Sequence, residues 1–118
     1  MKENIVKFKT FKFAVRIVKL YQYLTDTKKE FVLSKQVLRS GTNPGAMVRE
    51  SEHSESKADF IHKLSIAQKE INETIYWLEL LKETNYLAIQ EFESMNTDAI
   101  EIIKLITSIL KTIKARNN

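Results

Sequence analysis

The sequence predicts an all-α protein, an antiparallel up-down-up-down four-helix bundle that forms a single domain over residues 1–118. Three observations predict this fold. The chain has only two glycines and one proline, which is too few for a fold built from many short strands. Apolar residues recur at helical spacings of three and four in four separate stretches. Hydrophobic residues make up 43% and charged residues 29% of the chain, as is typical of a folded globular protein.

The first predicted helix runs from Phe11 to Leu24, with Thr10 as its N-cap. Its predicted core stripe consists of Phe11, Ala14, Val15, Ile17, Val18, Tyr21 and Leu24. The preceding stretch VKFKTFKF alternates apolar and basic residues, but the alternation breaks at Thr10 and no partner strand is visible. We therefore expect it to be a basic lead-in outside the helix.

Ser34 is the predicted N-cap of the second helix. This helix contains the proline and both glycines of the chain, in the stretch SGTNPGAM. Its predicted stripe consists of Val37, Leu38, Gly41, Gly45 and Val48. Gly41 and Gly45 are one turn apart, so a neighbouring backbone can approach this face closely.

Pro44 should remove the hydrogen bond to the Ser40 carbonyl and bend the helix. The alternative is a TNPG turn between two short helices, because a residue before proline resists helical geometry. A phosphate-binding loop is not favoured, since neither a Walker lysine nor a preceding strand is present.

The third helix has the clearest pattern in the chain. Ser56 is its predicted N-cap, with Asp59 three residues later, and the helix should end at about Thr84. Its stripe steps by four and three through Phe60, Leu64, Ala67, Ile71, Thr74, Leu78 and Leu81. The same steps predict a fourth helix through Ala99, Ile103, Ile106, Leu110 and Ile113. The stretch LAIQEFESMNTD before it is either a short helix or the opening turns of the fourth.

Further apolar residues on the last two helices suggest self-association. They are Ile66, Tyr76, Trp77, Leu80, Ile100, Ile102, Leu105 and Ile109. A second apolar stripe exposed to water would be an association surface, so we expect a homo-oligomer. The alternative is a single wide stripe that faces the core of one bundle.

The charge distribution predicts an anionic partner. The net charge is +4, and the first 39 residues hold ten Lys/Arg against three Asp/Glu. The predicted contacts to RNA or DNA phosphates are Lys12, Arg16, Lys19, Lys35, Arg39 and Arg49. The bundle should also gather Lys7, Lys9 and Lys12 near Lys111, Lys114 and Arg116 at one pole. The alternatives are a solvated face without a partner, a structural relic, and a protein adaptor that acts through Tyr76 and Trp77.

No set of residues in the sequence indicates catalysis. The chain has no cysteine, which excludes thiolate zinc sites, and its two histidines, His53 and His62, are expected to be surface or structural residues. Glu70 and Glu73 have no histidine beside them, as a di-iron bundle would require. We predict no enzyme activity, no cofactor and no metal. Without a bilayer-spanning apolar run or a signal peptide, the predicted location is the cytoplasm, with no membrane partner.

The stretch RSGTNPGAMVRESEHSESKADFIHKLSIAQKEINETIYWLELL, together with FKFAVRIVKLYQYL and FVLSKQVLRS, resembles a known family. This is the four-helix-bundle family that includes proteins encoded by intervening sequences in bacterial large-subunit (23S) ribosomal RNA genes. The resemblance covers nearly the whole chain. Where many relatives have serine, isoleucine or valine near Asn43 and Pro44, this chain reads TNPG, which would alter the bend.

The resemblance implies a four-helix fold and no catalytic residues. It also implies a ring-like homopentamer with a positively charged surface, as in relatives. One branch of the family is the accessory protein of diversity-generating retroelements, where it joins a reverse transcriptase and binds nucleic acid. The resemblance therefore implies a nucleic-acid-binding oligomer, or an accessory subunit of another protein.

Overall fold

A computed structural model describes residues 1–116, which form four α-helices and no strand. The helices are α1 (Lys2–Asp26), α2 (Leu33–Ser51), α3 (Lys57–Glu83) and α4 (Ile89–Ala115). The all-α prediction is confirmed. The molecule is elongated, with principal extents of 51 × 22 × 19 Å. None of the helices within residues 1–116 is both long and apolar enough to cross a membrane.

Contacts between helices show that each neighbouring pair runs antiparallel. Lys7, early in α1, pairs with Glu52 just after α2, and Lys63, early in α3, pairs with Glu50 late in α2. Lys9 pairs with Glu101 near the middle of α4, and Arg16, later in α1, pairs with Glu91 near the start of α4. Lys57, at the start of α3, donates to the Arg116 carbonyl at the end of α4. In the described part of the chain α1 and α3 each pack on α2 and α4 but not on each other, so these two helices occupy opposite corners of the bundle.

The helix α1 begins earlier than the sequence suggested, and it buries a different face. It starts at Lys2, so VKFKTFKF is helical and Thr10 is not an N-cap. Thr10 is buried, and its hydroxyl donates to the Val6 carbonyl (2.7 Å). The buried face of α1 consists of Val6, Thr10, Phe13, Ile17, Leu20 and Leu24. The predicted core residues Phe11, Val15 and Val18 are exposed, because α1 carries two apolar stripes and the other one continues to Val6.

The helix α2 is continuous through Pro44, so the TNPG stretch is not a turn. A bend of its axis at Pro44 stays a prediction. The predicted small-residue face is confirmed, since a Cβ added to Gly41 would lie 2.6 Å from Ile17 Cγ1. A Cβ added to Gly45 would lie 3.4 Å from the Thr10 carbonyl oxygen. The glycines therefore let α1 pack directly on the backbone of α2.

The start of α2 is capped by Glu30 and not by Ser34. The Glu30 carboxylate accepts hydrogen bonds from the backbone N–H groups of Ser34 (2.7 Å), Leu33 (2.9 Å) and Val32 (3.2 Å). Ser34 lies inside the helix, and its hydroxyl donates to the Glu30 carbonyl. Burial alone would raise the pKa of Glu30, but the backbone donors outweigh burial and hold the pKa below its usual value.

The predictions for α3 and α4 agree closely with the structure. Ser56 Oγ accepts from the Asp59 N–H (3.0 Å), which confirms this N-cap, and α3 ends at Glu83. Six residues of its predicted stripe are buried, and Phe60 is partly buried against them. LAIQEFESMNTD includes the opening turns of α4, which runs from Ile89 without a break. Ile102 and Ile109 face the core, so the apolar surface of α4 is largely one wide buried stripe.

Candidate nucleic-acid interface

Arg16, one of the six predicted phosphate contacts, is held between two carboxylates of α4. Its Nη1 donates to Asp98 Oδ2 (2.8 Å) and its Nη2 to Glu91 Oε1 (3.0 Å). Partial burial lowers the pKa of Arg16, but the hydrogen bonds to Asp98 and Glu91 outweigh it and leave the pKa raised. Because its donors and charge already serve the α1–α4 contact, Arg16 is poorly placed to bind phosphate.

The other two predicted residues of α1 project into solvent. Lys12 and Lys19 are exposed and two turns apart, so they lie on the same side of the helix. The Lys12 ammonium group lies 5.6 Å from the centroid of the Phe8 ring. Neither lysine forms an ion pair within residues 1–116, in contrast with Lys7 and Lys9. Both ammonium groups are therefore available to an anionic ligand.

The helix α2 contributes the remaining three predicted residues. Lys35 and Arg39 are exposed and one turn apart, so they share a face of the helix. Arg49, near the end of α2, is also exposed, and its guanidinium lies 5.2 Å from the centroid of the Phe11 ring of α1. Among the described residues, no carboxylate lies within ion-pair distance of these three side chains.

Lys12, Lys19 and Arg49 lie beside an exposed apolar surface of α1. Phe8 and Phe11 are 62% and 53% exposed, and Val15 and Val18 are 38% and 39% exposed. Their spacing of three, four and three residues places all four along one side of α1. We call these four residues the α1 ridge. Phe11, Val15 and Val18 belong to the predicted core stripe and Phe8 to the predicted lead-in, because spacing alone does not distinguish two stripes on one helix.

A second exposed apolar surface lies on α3. Tyr76 is 57% exposed, and its ring packs edge-on against Trp77 with 5.0 Å between the centroids. The Trp77 indole N–H donates to Glu73 Oε2 (3.0 Å). The expectation that Tyr76 lies away from the core is confirmed, whereas Ile102 and Ile109 of the same predicted set are buried.

The pole formed by the start of α1 and the end of α4 is less basic than the sequence suggested. Lys2 contacts Ser108, which confirms that these two helix ends meet. However, Lys7 and Lys9 are paired with Glu52 and Glu101. Lys111, Lys114 and Arg116 are exposed and have no carboxylate partner within residues 1–116, so the free positive charge of this pole comes mainly from the end of α4.

Comparison with known proteins identifies the family. The model of the family described as 23S rRNA-intervening sequence protein matches residues 2–108. The chain belongs to this family. A crystal structure from Bacteroides thetaiotaomicron VPI-5482, of a protein with unknown function from the S23 ribosomal protein family, is 58% identical. The match covers 94% of this chain and 99% of that one, with a TM-score of 0.93. No curated protein matches the chain.

The histidines and glutamates that sequence analysis considered for a metal site are either exposed or held by structural partners. Both histidines are exposed. Glu70 is buried and accepts from Asn43 Nδ2 (3.2 Å), and Glu73 accepts from Trp77, so both carboxylates have structural partners. Within residues 1–116, no group of three or more acidic or histidine side chains is placed to hold a metal ion.

Proposed function

We propose that this intervening-sequence family protein is a non-enzymatic homo-oligomer that binds RNA or DNA through phosphates. The main support for this proposal is that five of the six predicted basic residues are exposed and have no carboxylate partner within residues 1–116. These five are Lys12, Lys19, Lys35, Arg39 and Arg49. Such a surface attracts a phosphate backbone without reading its sequence. The cytoplasm remains the predicted location.

The distribution of charge over the helices supports this proposal. Together α1 and α2 hold nine Lys/Arg against three Asp/Glu, whereas α3 and α4 hold seven against nine. The basic side of the bundle is therefore opposed by a weakly acidic side. An anionic polymer would be drawn to the first and repelled by the second.

Binding of a labelled RNA and a DNA duplex, measured by anisotropy across a salt series, tests the proposal. On duplex DNA, affinity should fall with a log-log slope of about −0.9 for each phosphate neutralised. A Lys35→Ala/Arg39→Ala variant should reduce the magnitude of that slope by about 2. The control Lys69→Ala/Lys104→Ala removes the same charge from exposed positions of α3 and α4 and should leave the slope near that of the wild type.

A second function is favoured by the two exposed apolar surfaces. The α1 ridge and the Tyr76–Trp77 pair would suit an adaptor, or an accessory subunit of another protein such as a reverse transcriptase. Failure of the wild-type protein to bind either RNA or DNA at low ionic strength would overturn the first function and favour this one.

A further inference from the structure

The α1 ridge and the exposed side of α3 lie on opposite sides of the bundle. In the described part of the chain, α1 and α3 contact α2 and α4 but not each other. Phe8, Phe11, Val15 and Val18 point outward from one corner, and Tyr76 points outward from the diagonally opposite corner. One copy of the chain therefore presents two separate apolar surfaces, and both are exposed in the monomer.

The two surfaces have the same spacing along their helices. On α3, Glu73, Tyr76, Leu80 and Glu83 recur at intervals of three, four and three, as the four residues of the α1 ridge do. We call these four residues the α3 strip. Tyr76 is exposed, and Leu80 is half-buried beside it. Each surface extends for about 15 Å at 1.5 Å per residue, so the two are matched in length.

The charges around the two surfaces are opposite in sign. The α1 ridge is flanked by Lys12, Lys19 and Arg49, which have no acidic partner within residues 1–116. The α3 strip begins and ends with glutamates, and Glu79 lies next to Leu80. Two bases lie beside the strip. Lys69 is exposed one turn before it, and Lys82 pairs with Glu83 (3.3 Å), so the three glutamates outnumber the two bases.

Opposite charges favour a contact between unlike surfaces. Two α1 ridges brought together would place lysines against lysines, and two α3 strips would place glutamates against glutamates. Like charges that face each other across an interface disfavour the contact. A contact of ridge with strip instead pairs cations with carboxylates and buries both apolar surfaces at once.

We infer that the α1 ridge of one copy docks on the α3 strip of a second copy, in a head-to-tail contact that repeats from copy to copy. This inference rests on the homo-oligomer proposed above and assigns its surfaces. Because each copy uses two different surfaces, the assembly closes into a ring or extends as a filament rather than stopping at a symmetric dimer. Lys12, Lys19 and Arg49 then line the protein contact, and Lys35 and Arg39 on α2 remain for phosphates.

Charge reversal with rescue tests this contact in the full-length chain. Lys12→Glu/Lys19→Glu should raise the dissociation constant of the assembly about 100-fold or more in sedimentation velocity. Glu79→Lys/Glu83→Lys should do the same. A chain that carries all four substitutions should assemble again, because its ridge is acidic and its strip is basic. Lys104→Glu/Lys111→Glu, a control with a charge change equal to that of the first variant, should assemble like the wild type.

The experiment tests the homo-oligomer and the ridge-to-strip contact separately. Wild-type protein that sediments as a monomer at high concentration overturns both the oligomer and the inferred contact. An oligomer that survives both double reversals, or that the fourfold variant fails to restore, overturns the contact alone. Circular dichroism of each variant must match that of the wild type, so that loss of assembly is not loss of folding. Nucleic-acid binding is measured separately and decides neither outcome.

Discussion

Gly41 and Gly45 lie one turn apart on α2, yet α1 meets them at different distances. A Cβ at Gly41 would lie within 2.6–2.9 Å of three side-chain atoms of Ile17, which is fully buried. At Gly45 the nearest atom would be the Thr10 carbonyl oxygen at 3.4 Å, an ordinary van der Waals distance. Both positions are helical, so alanine has a similar backbone preference at each. A difference in stability between the two alanine variants therefore reports on packing against α1.

A Gly41→Ala variant should therefore be less stable than the wild type by about 1–3 kcal/mol, because the added Cβ would overlap the fully buried Ile17 side chain and force it to shift. Gly45→Ala is the matched control. It gains the helix preference of alanine over glycine, about 0.8–1 kcal/mol, with little steric cost. Urea denaturation of both variants checks the pair. Equal stabilities for the two variants would show that α1 does not pack as closely on Gly41 as the structure indicates.

At the scale of the helix, the start of α2 depends on a carboxylate that precedes it. Glu30 accepts from three consecutive backbone N–H groups, and Lys29 before it adopts a left-handed φ of 56°. Since the pKa of Glu30 is lowered in the folded protein, its charged form favours folding. The charge contributes fully to the free energy of unfolding above the pKa of a glutamate in the unfolded chain. This contribution is lost as the pH falls through the lower pKa of Glu30 in the folded protein.

A Glu30→Gln variant should accordingly be less stable than the wild type by about 1 kcal/mol at neutral pH. The difference should shrink as the pH falls below about 4, where the wild-type carboxylate also becomes protonated. Thermal unfolding of both proteins between pH 3 and pH 7 measures this. Glu55→Gln, at an exposed position of the next connection, controls for general charge effects. A constant difference across the whole pH range would contradict a role for the charge.

The number of apolar stripes on a helix determines how much of its structure could be predicted from the sequence. The helix α3 has one continuous stripe and a Ser56 cap, so its start, end and buried face follow from local residues. The helix α1 has two stripes of similar spacing, and only the tertiary arrangement decides which one is buried. The partners of Arg16 are 75 and 82 residues away, so no local pattern could have shown that its charge is already paired.

At the scale of the whole molecule, assembly and nucleic-acid binding should be coupled. If copies join through the α1 ridge, each assembly presents several α2 faces to one polymer, and apparent affinity rises by multivalency. A Phe8→Ser/Phe11→Ser variant tests this without changing the net charge. Because both rings are largely exposed, its unfolding free energy should change little.

This variant should sediment as a monomer and bind a long RNA at least about 10-fold more weakly than the wild type. Binding of a short oligonucleotide, which spans only one copy, should change much less. Undiminished affinity of the monomeric variant for the long RNA would contradict the coupling.

The composition of α2 has a consequence for local opening. Among its seven buried residues only Val37 and Val48 are aliphatic, and the others are serines, Gly41 and Pro44. Small residues bring the helix close to its neighbours but bury little apolar area, and glycine and proline disfavour an isolated helix. The amide hydrogens of α2 should therefore exchange with solvent deuterium sooner than those of α3, through excursions in which α2 detaches while the other helices stay in place.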